Sequence, residues 1–222
     1  DYPLAHALGK PTWMTEYLIN NQTIASAVET AQQISDCLTV GNMSAYIWWK
    51  CIGNANGLLD ASGAPQRRGY AMAQFSRFAR PGNSRIDVSN NTSPLGISAF
   101  TDPATGRFAI VAVNSTTVPV PQEFNLAGIT AGFVTPWITS ATHSLEQQAA
   151  LSISDNTFSY EIPAFSVVTF SGTNLTALVR HMPSLNGTIT GSIRVTTAES
   201  ITLNSNASIS GDLLVPGTPQ VR

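Results

Sequence analysis

Charge is scarce in this sequence: Asp, Glu, Lys and Arg make up 11% of 222 residues, against about 25% in an ordinary soluble domain. With a net charge of -2 the chain offers no basic surface for a polyphosphate, which excludes nucleic acid as the expected partner. Cysteine is almost absent. Cys37 and Cys51 are too few for a disulfide framework and lack metal-ligand spacing. Each stands in an apolar stretch, so two buried thiols are expected, with a mutual bridge as the alternative. No run approaches the roughly 20 apolar residues of a membrane-crossing helix, so no membrane partner is expected. His6, His143 and His181 share no spacing, and neither a metal site, a cofactor nor a triad is implied.

In place of charge stand Ser, Thr, Asn, Gly and Ala around a hydrophobic fraction of 43%. That is enough apolar material for a real core in one or two domains. The polar, weakly charged texture fits an extracellular β-rich protein that handles a neutral polymer such as a polysaccharide.

Along the chain, Leu4 and Leu8 at helical spacing and Gly9 as a C-cap end a helix within Asp1 to Gly9. Thr12 to Tyr17 has the composition of a strand opened by Pro11, and it carries one carboxylate, Glu16, near its C-terminal end. Thr23 is the N-cap of a helix running to about Val40, with Ile24, Ala27, Val28, Ala31, Ile34 and Leu38 as its apolar stripe. Ser44 to Lys50 is apolar on both faces, as buried parallel strands are. Helix, strand, helix, strand make one βαβ unit. Ile52 to Pro65 is a Gly- and Asn-rich loop long enough to be functional. Gln66 to Ala79 is helical again, with Tyr70, Met72, Phe75 and Phe78 as its core residues.

From Ser84 the period becomes alternating. Arg85-Val88, Leu95-Phe100, Phe108-Asn114, Val118-Phe124, Phe133-Thr139, Thr157-Ile162 and Ser166-Ser171 predict an antiparallel sandwich of immunoglobulin-like size. In the tail, Gly187-Thr188-Ile189-Thr190-Gly191 against Ala207-Ser208-Ile209-Ser210-Gly211 hints at a repeat of about 20 residues. Two readings stay open there: a β-solenoid rung, or a polar linker that merely alternates.

The stretches KPTWMTEY, AYIWWK, QRRGYAMAQFSRFARPG and PAFSVVTFSG, in this order and spacing, resemble glycoside hydrolase family 30, the endoxylanase and glucuronoxylanase group. The resemblance covers roughly residues 1–172, from the family's seventh barrel strand onward. It implies an α/β plus all-β chain: the C-terminal part of a (β/α)8 TIM barrel over residues 1–82, an antiparallel β-sandwich side domain over 83–173, and a linker with the start of a β-rich, solenoid-like extension over 174–222. It further implies a secreted retaining glycosidase acting on β-linked plant polysaccharide, xylan foremost, by double displacement.

Glu16 matches the nucleophile of that family; without the surrounding pattern it reads as a solvated strand-end carboxylate. The acid/base belongs to a fourth strand that this sequence does not include. The rest of the barrel, N-terminal to Asp1, is therefore an expected partner, and the isolated fragment is expected to be inactive. Trp48 and Trp49 point to opposite faces of their strand, and the resemblance sets Trp49 nearer the substrate; that both are core stays open. Tyr17 is expected to line the groove, Trp13 and Tyr46 to be core, and Trp137 to be packing. Asp36 and Glu29 read as solvated, and Asp60 as a turn.

Glucuronoxylan-specific members hold the uronate with an arginine, a tyrosine and a serine at the positions of Gly53, Leu18 and Asn21. Glycine cannot imitate an arginine fork, so a broader xylanase is expected, with a glucanase-type member or a glucuronoxylanase as alternatives. The competing class is a non-catalytic carbohydrate-binding or surface-display module built on residues 84–222.

Overall fold

Thr23 begins the helix that organises the first third of the molecule. Its extended backbone lets its hydroxyl accept the Ser26 N–H, satisfying one of the four donors a helix leaves free at its start. A computed structural model describes residues 3–89, 92–174, 176–189, 192–209 and 213–222. Within it α1 (Pro3–Ala7) is followed by Gly9 at φ 64°, then β1 (Trp13–Met14), α2 (Ile24–Thr39), β2 (Ala45–Tyr46) and α3 (Arg67–Ser76). The stripe on α2 is its buried face: Ala27, Val28, Ala31 and Ile34 are enclosed and Ile24 and Leu38 partly so. β1 and β2 pair in parallel, Trp13 with Ala45 and Met14 with Tyr46. Both strands are shorter than expected, because the ladder becomes irregular beyond Met14.

The β-rich region holds β3 (Ser84–Ile86), β4 (Gly96–Thr101), β5 (Arg107–Asn114), β6 (Val120–Asn125), β7 (Phe133–Thr139), β8 (Ser144–Gln147), β9 (Leu151–Ser152), β10 (Thr157–Ile162) and β11 (Ser166–Thr173). One sheet runs β3-β4-β5-β11-β7-β8 with β9 also on β7, and β6 and β10 form a separate antiparallel ribbon. Alternation on β5 and β11 sorts their side chains to two cores. Phe108, Ile110, Ala112, Val168 and Phe170 meet Val120, Phe124, Phe158 and Ile162 of the ribbon. Phe124 and Phe158 stack at 4.8 Å, with Phe170 tilted 5.0 Å from Phe158.

The opposite side, with Phe100, Val111, Val113 and Val167, packs on α2 and α3 through Val28, Ile34 and Phe75. Buried Gln74 fixes α3 in place. Its side-chain amide donates to Thr139 Oγ1 at 2.9 Å and Val167 O at 3.2 Å, and its backbone carbonyl accepts the Thr169 hydroxyl at 2.9 Å.

The tail contains β12 (Thr176–Val179), β13 (Ser184–Leu185), β14 (Thr188–Ile189), β15 (Ser192–Val195), β16 (Thr202–Leu203), β17 (Ser208–Ile209) and β18 (Leu213–Leu214). Among the described residues their pairings are parallel: β12-β15-β18, β13-β16 and β14-β17. Thr188 faces Ser208 and Ile189 faces Ile209, around a small core of Met182, Leu185, Ile193, Val195 and Ile201. Thr190, Gly191, Ser210 and Gly211 of the two similar stretches lie outside the described residues.

Several expectations fail: Ser44 to Lys50 is not buried on both faces, since Ile47 and Trp49 are exposed. Both cysteines are free, but Cys51 is exposed, because the chain leaves the core for the loop directly after Trp49. Trp13 is exposed rather than core, since the side of β1-β2 away from the helices carries no packing layer among the described residues.

Candidate active site

Parallel pairing makes β1 and β2 open on the same side at their C-terminal ends, and there the register is uneven. Met14 O accepts the Ile47 N–H at 2.8 Å, and the next acceptor is Tyr17 O, taking the Trp49 N–H at 3.2 Å. Three residues on the first chain segment therefore span two on the second. This is a one-residue bulge containing Thr15 and Glu16. The extra residue brings Tyr17 to the side of Trp48, their rings 6.0 Å apart and inclined by 59°. Glu16 lies within this bulge and is exposed.

Trp48 and Trp49 divide as strand alternation demands, at 5% and 56% exposure. The indole N–H of Trp48 donates to Asn56 O at 2.7 Å, and the Arg68 guanidinium covers its ring at 4.4 Å. Trp48 thus supports the site from beneath, and Trp49 presents an open ring beside Glu16's strand end. Tyr17 is half-buried against Trp48.

Arg68 is the residue that motif reading does not single out. It is fully buried, donates Nε to Thr30 Oγ1 at 3.1 Å, and donates Nη2 to Asn21 O at 2.6 Å and Ser26 Oγ at 3.3 Å. Burial lowers its pKa from the usual arginine value, opposed by Tyr46 and Glu29. One side chain therefore ties α3 to Trp48, to the first turn of α2 and to the loop after Glu16. A signal for it exists: Arg68, Ala71 and Phe75 fall on one helical face.

The loop of residues 52–65 is pinned over the strand ends. Gln22 Nε2 donates to Gly57 O at 2.8 Å, Gln66 Nε2 to Gly53 O at 2.8 Å, and Asn56 Nδ2 to Asn20 Oδ1 at 2.9 Å. Asp60 is a turn brace, accepting from Ser62 N–H at 2.8 Å, the Ser62 hydroxyl at 2.6 Å and Ala64 N–H at 2.9 Å. The Ser62 hydroxyl leads in holding its carboxyl below the ordinary value. Glu29 and Asp36 lie exposed on α2.

The three positions tied to uronate recognition are structural or apolar here. Asn21 Oδ1 accepts the Thr23 N–H at 3.0 Å and the Thr23 hydroxyl at 2.8 Å, so it braces the start of α2. Leu18 is half-exposed. A Cβ on Gly53 would lie 2.7 Å from Asn56 Oδ1 and 3.1 Å from Lys50 Cε, so the Lys50 stem already lies along this glycine. Among the described residues no cluster of three His, Cys, Asp or Glu side chains could hold a metal ion, and no helix is long and apolar enough to cross a membrane.

No family model matches the chain. Individual relatives do. Glucuronoxylanase XynC of Bacillus subtilis (strain 168) is 36% identical over 178 residues, 76% of this chain and 42% of the relative. The solved glycoside hydrolase family 30 subfamily 8 xylanase of Clostridium acetobutylicum aligns with a TM-score of 0.73 at 37% identity, over 78% of this chain and 45% of that one. The family 30 endoxylanase of Clostridium papyrosolvens C71 gives 0.71 at 33% identity over the same shares, 78% and 45%. The chain thus spans less than half the length of these relatives, and on these likenesses it belongs to glycoside hydrolase family 30, as a C-terminal part of that family's chain.

Proposed function

We propose that this chain supplies the nucleophile half of the active site of a secreted retaining glycoside hydrolase that cleaves β-linked plant polysaccharide, xylan foremost. The observation that carries the reading is Glu16: an exposed carboxylate, set in a bulge at the C-terminal end of a parallel strand, where barrel enzymes keep their chemistry. In a retaining mechanism one carboxylate attacks the anomeric carbon while a second carboxylic acid, about 5–5.5 Å away, protonates the departing oxygen. Glu16 forms the glycosyl ester; the second group then takes a proton from water, which attacks the anomeric carbon and frees Glu16. That acid/base is supplied from outside these 222 residues.

Trp49 gives a sugar ring a flat apolar face to stack on, Tyr17 lines the groove, and Trp48 holds Tyr17 in place. The βαβα order with parallel strands supports assigning residues 1–82 to the C-terminal part of a (β/α)8 barrel. The sheet and its ribbon support a β-sandwich side domain over 83–173, and the parallel ladders support a solenoid-like extension within 174–222. With Gly53, Leu18 and Asn21 where an arginine, a tyrosine and a serine would grip a uronate, cleavage does not require that substituent.

The test is Glu16→Gln in the enzyme that carries this chain, read as reducing ends released from xylan. The reading expects a loss of about 10³-fold or more with an unchanged melting temperature; a rate near that of the unaltered enzyme rejects it.

A further inference from the structure

Where α3 ends, the helix-facing side of the large sheet is left open and forms a cavity of about 420 Å³. Strand register builds its wall. Arg107 faces Thr173 across β5 and β11, and Ser171 faces Thr135 across β11 and β7. Residues two apart on a strand share a side, so Phe133, Thr135 and Trp137 of β7 join the same wall. The end of α3 and the turn beyond it bring Arg77, Phe78 and Arg80 over this surface. The cavity lies about 13 Å along α3 from Arg68, nine residues at ~1.5 Å each.

Its charge is local and positive. Three guanidiniums, Arg77, Arg80 and Arg107, line it against one carboxylate, Asp102, on a chain whose net charge is -2. Asp102 is already engaged, accepting the Ala104 N–H at 2.9 Å and the Thr105 hydroxyl at 2.6 Å. Arg80 donates to Ser76 O at 2.8 Å. Arg77 lies 4.2 Å over the ring of Trp137, whose indole N–H is 3.3 Å from Ser171 Oγ. The contact with the Trp137 ring holds Arg77 at the cavity wall, and a guanidinium offers a fork of N–H donors to an anionic ligand. Phe133, 59% exposed, adds an open aromatic ring.

Arginine forks take a carboxylate through paired hydrogen bonds, and an aromatic ring takes the face of a sugar. We propose that this cavity binds a uronic acid residue of an acidic oligosaccharide, with Arg77 and Arg107 on the carboxylate and Phe133 against the sugar ring. The choice of a uronate among anionic rings rests on the reading of the chain as part of a xylan-acting enzyme; the cavity's preference for an anion does not. Such a site would hold decorated polymer to the enzyme while the strand ends at Glu16 act without needing the decoration.

The experiment titrates the 222-residue chain by calorimetry with a xylotetraose bearing one glucuronate side group, with plain xylotetraose, and with inorganic phosphate. The acidic saccharide is expected to bind at least tenfold more tightly than either other probe. Arg77→Gln and Arg107→Gln are each expected to weaken it about tenfold at unchanged melting temperature. Glu16→Gln is expected to leave the affinity unaltered, so this outcome stands apart from the fate of the nucleophile assignment. Equal affinity for neutral and acidic saccharides, phosphate binding as tightly as the saccharide, full affinity in both arginine variants, or loss of binding in Glu16→Gln would each overturn the proposal.

Discussion

The guanidinium of Arg68 lies 4.4 Å above the ring of Trp48, fully buried, and the same group holds the carbonyl of Asn21 at 2.6 Å. One cation thus joins the support under the candidate nucleophile to the loop that follows it. Arg68→Ala is expected to destabilise the chain by about 2–4 kcal/mol, from the lost charged hydrogen bonds and the exposed face of Trp48. Arg68→Lys is expected to recover less than half of this, since an ammonium cannot make the same fork. Urea unfolding checks both; full recovery by lysine would contradict the role given to the fork.

The start of α2 depends on Thr23, whose hydroxyl accepts the Ser26 N–H at 3.2 Å. Thr23→Ala is expected to cost about 1 kcal/mol, with Thr23→Ser within a few tenths of the parent. Chemical denaturation of the two variants side by side decides this.

Gly53 and Gly57 sit in one loop and differ in what surrounds them. A Cβ at Gly53 meets the ends of two flexible side chains, Asn56 and Lys50, whereas at Gly57 it meets backbone, the Gly53 nitrogen at 2.3 Å and the Leu59 oxygen at 2.4 Å. Gly53→Ala is expected to cost less than about 1 kcal/mol and Gly57→Ala about 2–3 kcal/mol. The reverse order of unfolding midpoints would refute the loop packing described above.

Burial, followed by the proximity of Cys37 and Tyr17, pushes the Tyr46 phenol above its ordinary value, against an opposing pull from Arg68. Its hydroxyl is 3.3 Å from Gln33 Oε1. A raised folded pKa means that the unfolded chain releases this proton first. The contribution is complete below the ordinary tyrosine value, about 10, and is lost as pH rises beyond it. Urea midpoints measured between pH 8 and pH 11 should fall at the alkaline end, and Tyr46→Phe should reduce that fall. An equal fall in the variant would assign it elsewhere.

Much of this architecture was legible in single residues. The Thr23 cap and the stripe from Ile24 to Leu38 mark α2 because capping and helical period are local properties. The alternation of Phe108, Ile110 and Ala112 likewise marks β5. What escaped depended on partners far along the chain. β8 and β9, with sequences SLEQ and LS, lack the β-branched runs that announce a strand and exist through pairing with β7. Trp48 and Trp49 differ only in which side carries a helix. The bulge at Glu16 shows no signal at all in WMTEY, because it is a mismatch between two strands rather than a feature of one. Arg68 and Gln74 were visible as positions on the buried face of α3, yet their polarity argues for the surface until Asn21, Thr30, Thr139 and Val167 are seen to receive them.

In the proposed mechanism Glu16 forms a covalent bond with the sugar. The enzyme carrying this chain, treated with a mechanism-based 2-fluoro-xylobioside, is digested and its peptides are weighed. A fluoro-xylobiosyl adduct confined to the peptide containing Glu16, and lost in Glu16→Gln, is the predicted result. An adduct on another carboxylate, with Glu16 unmodified in inactivated enzyme, would contradict the account.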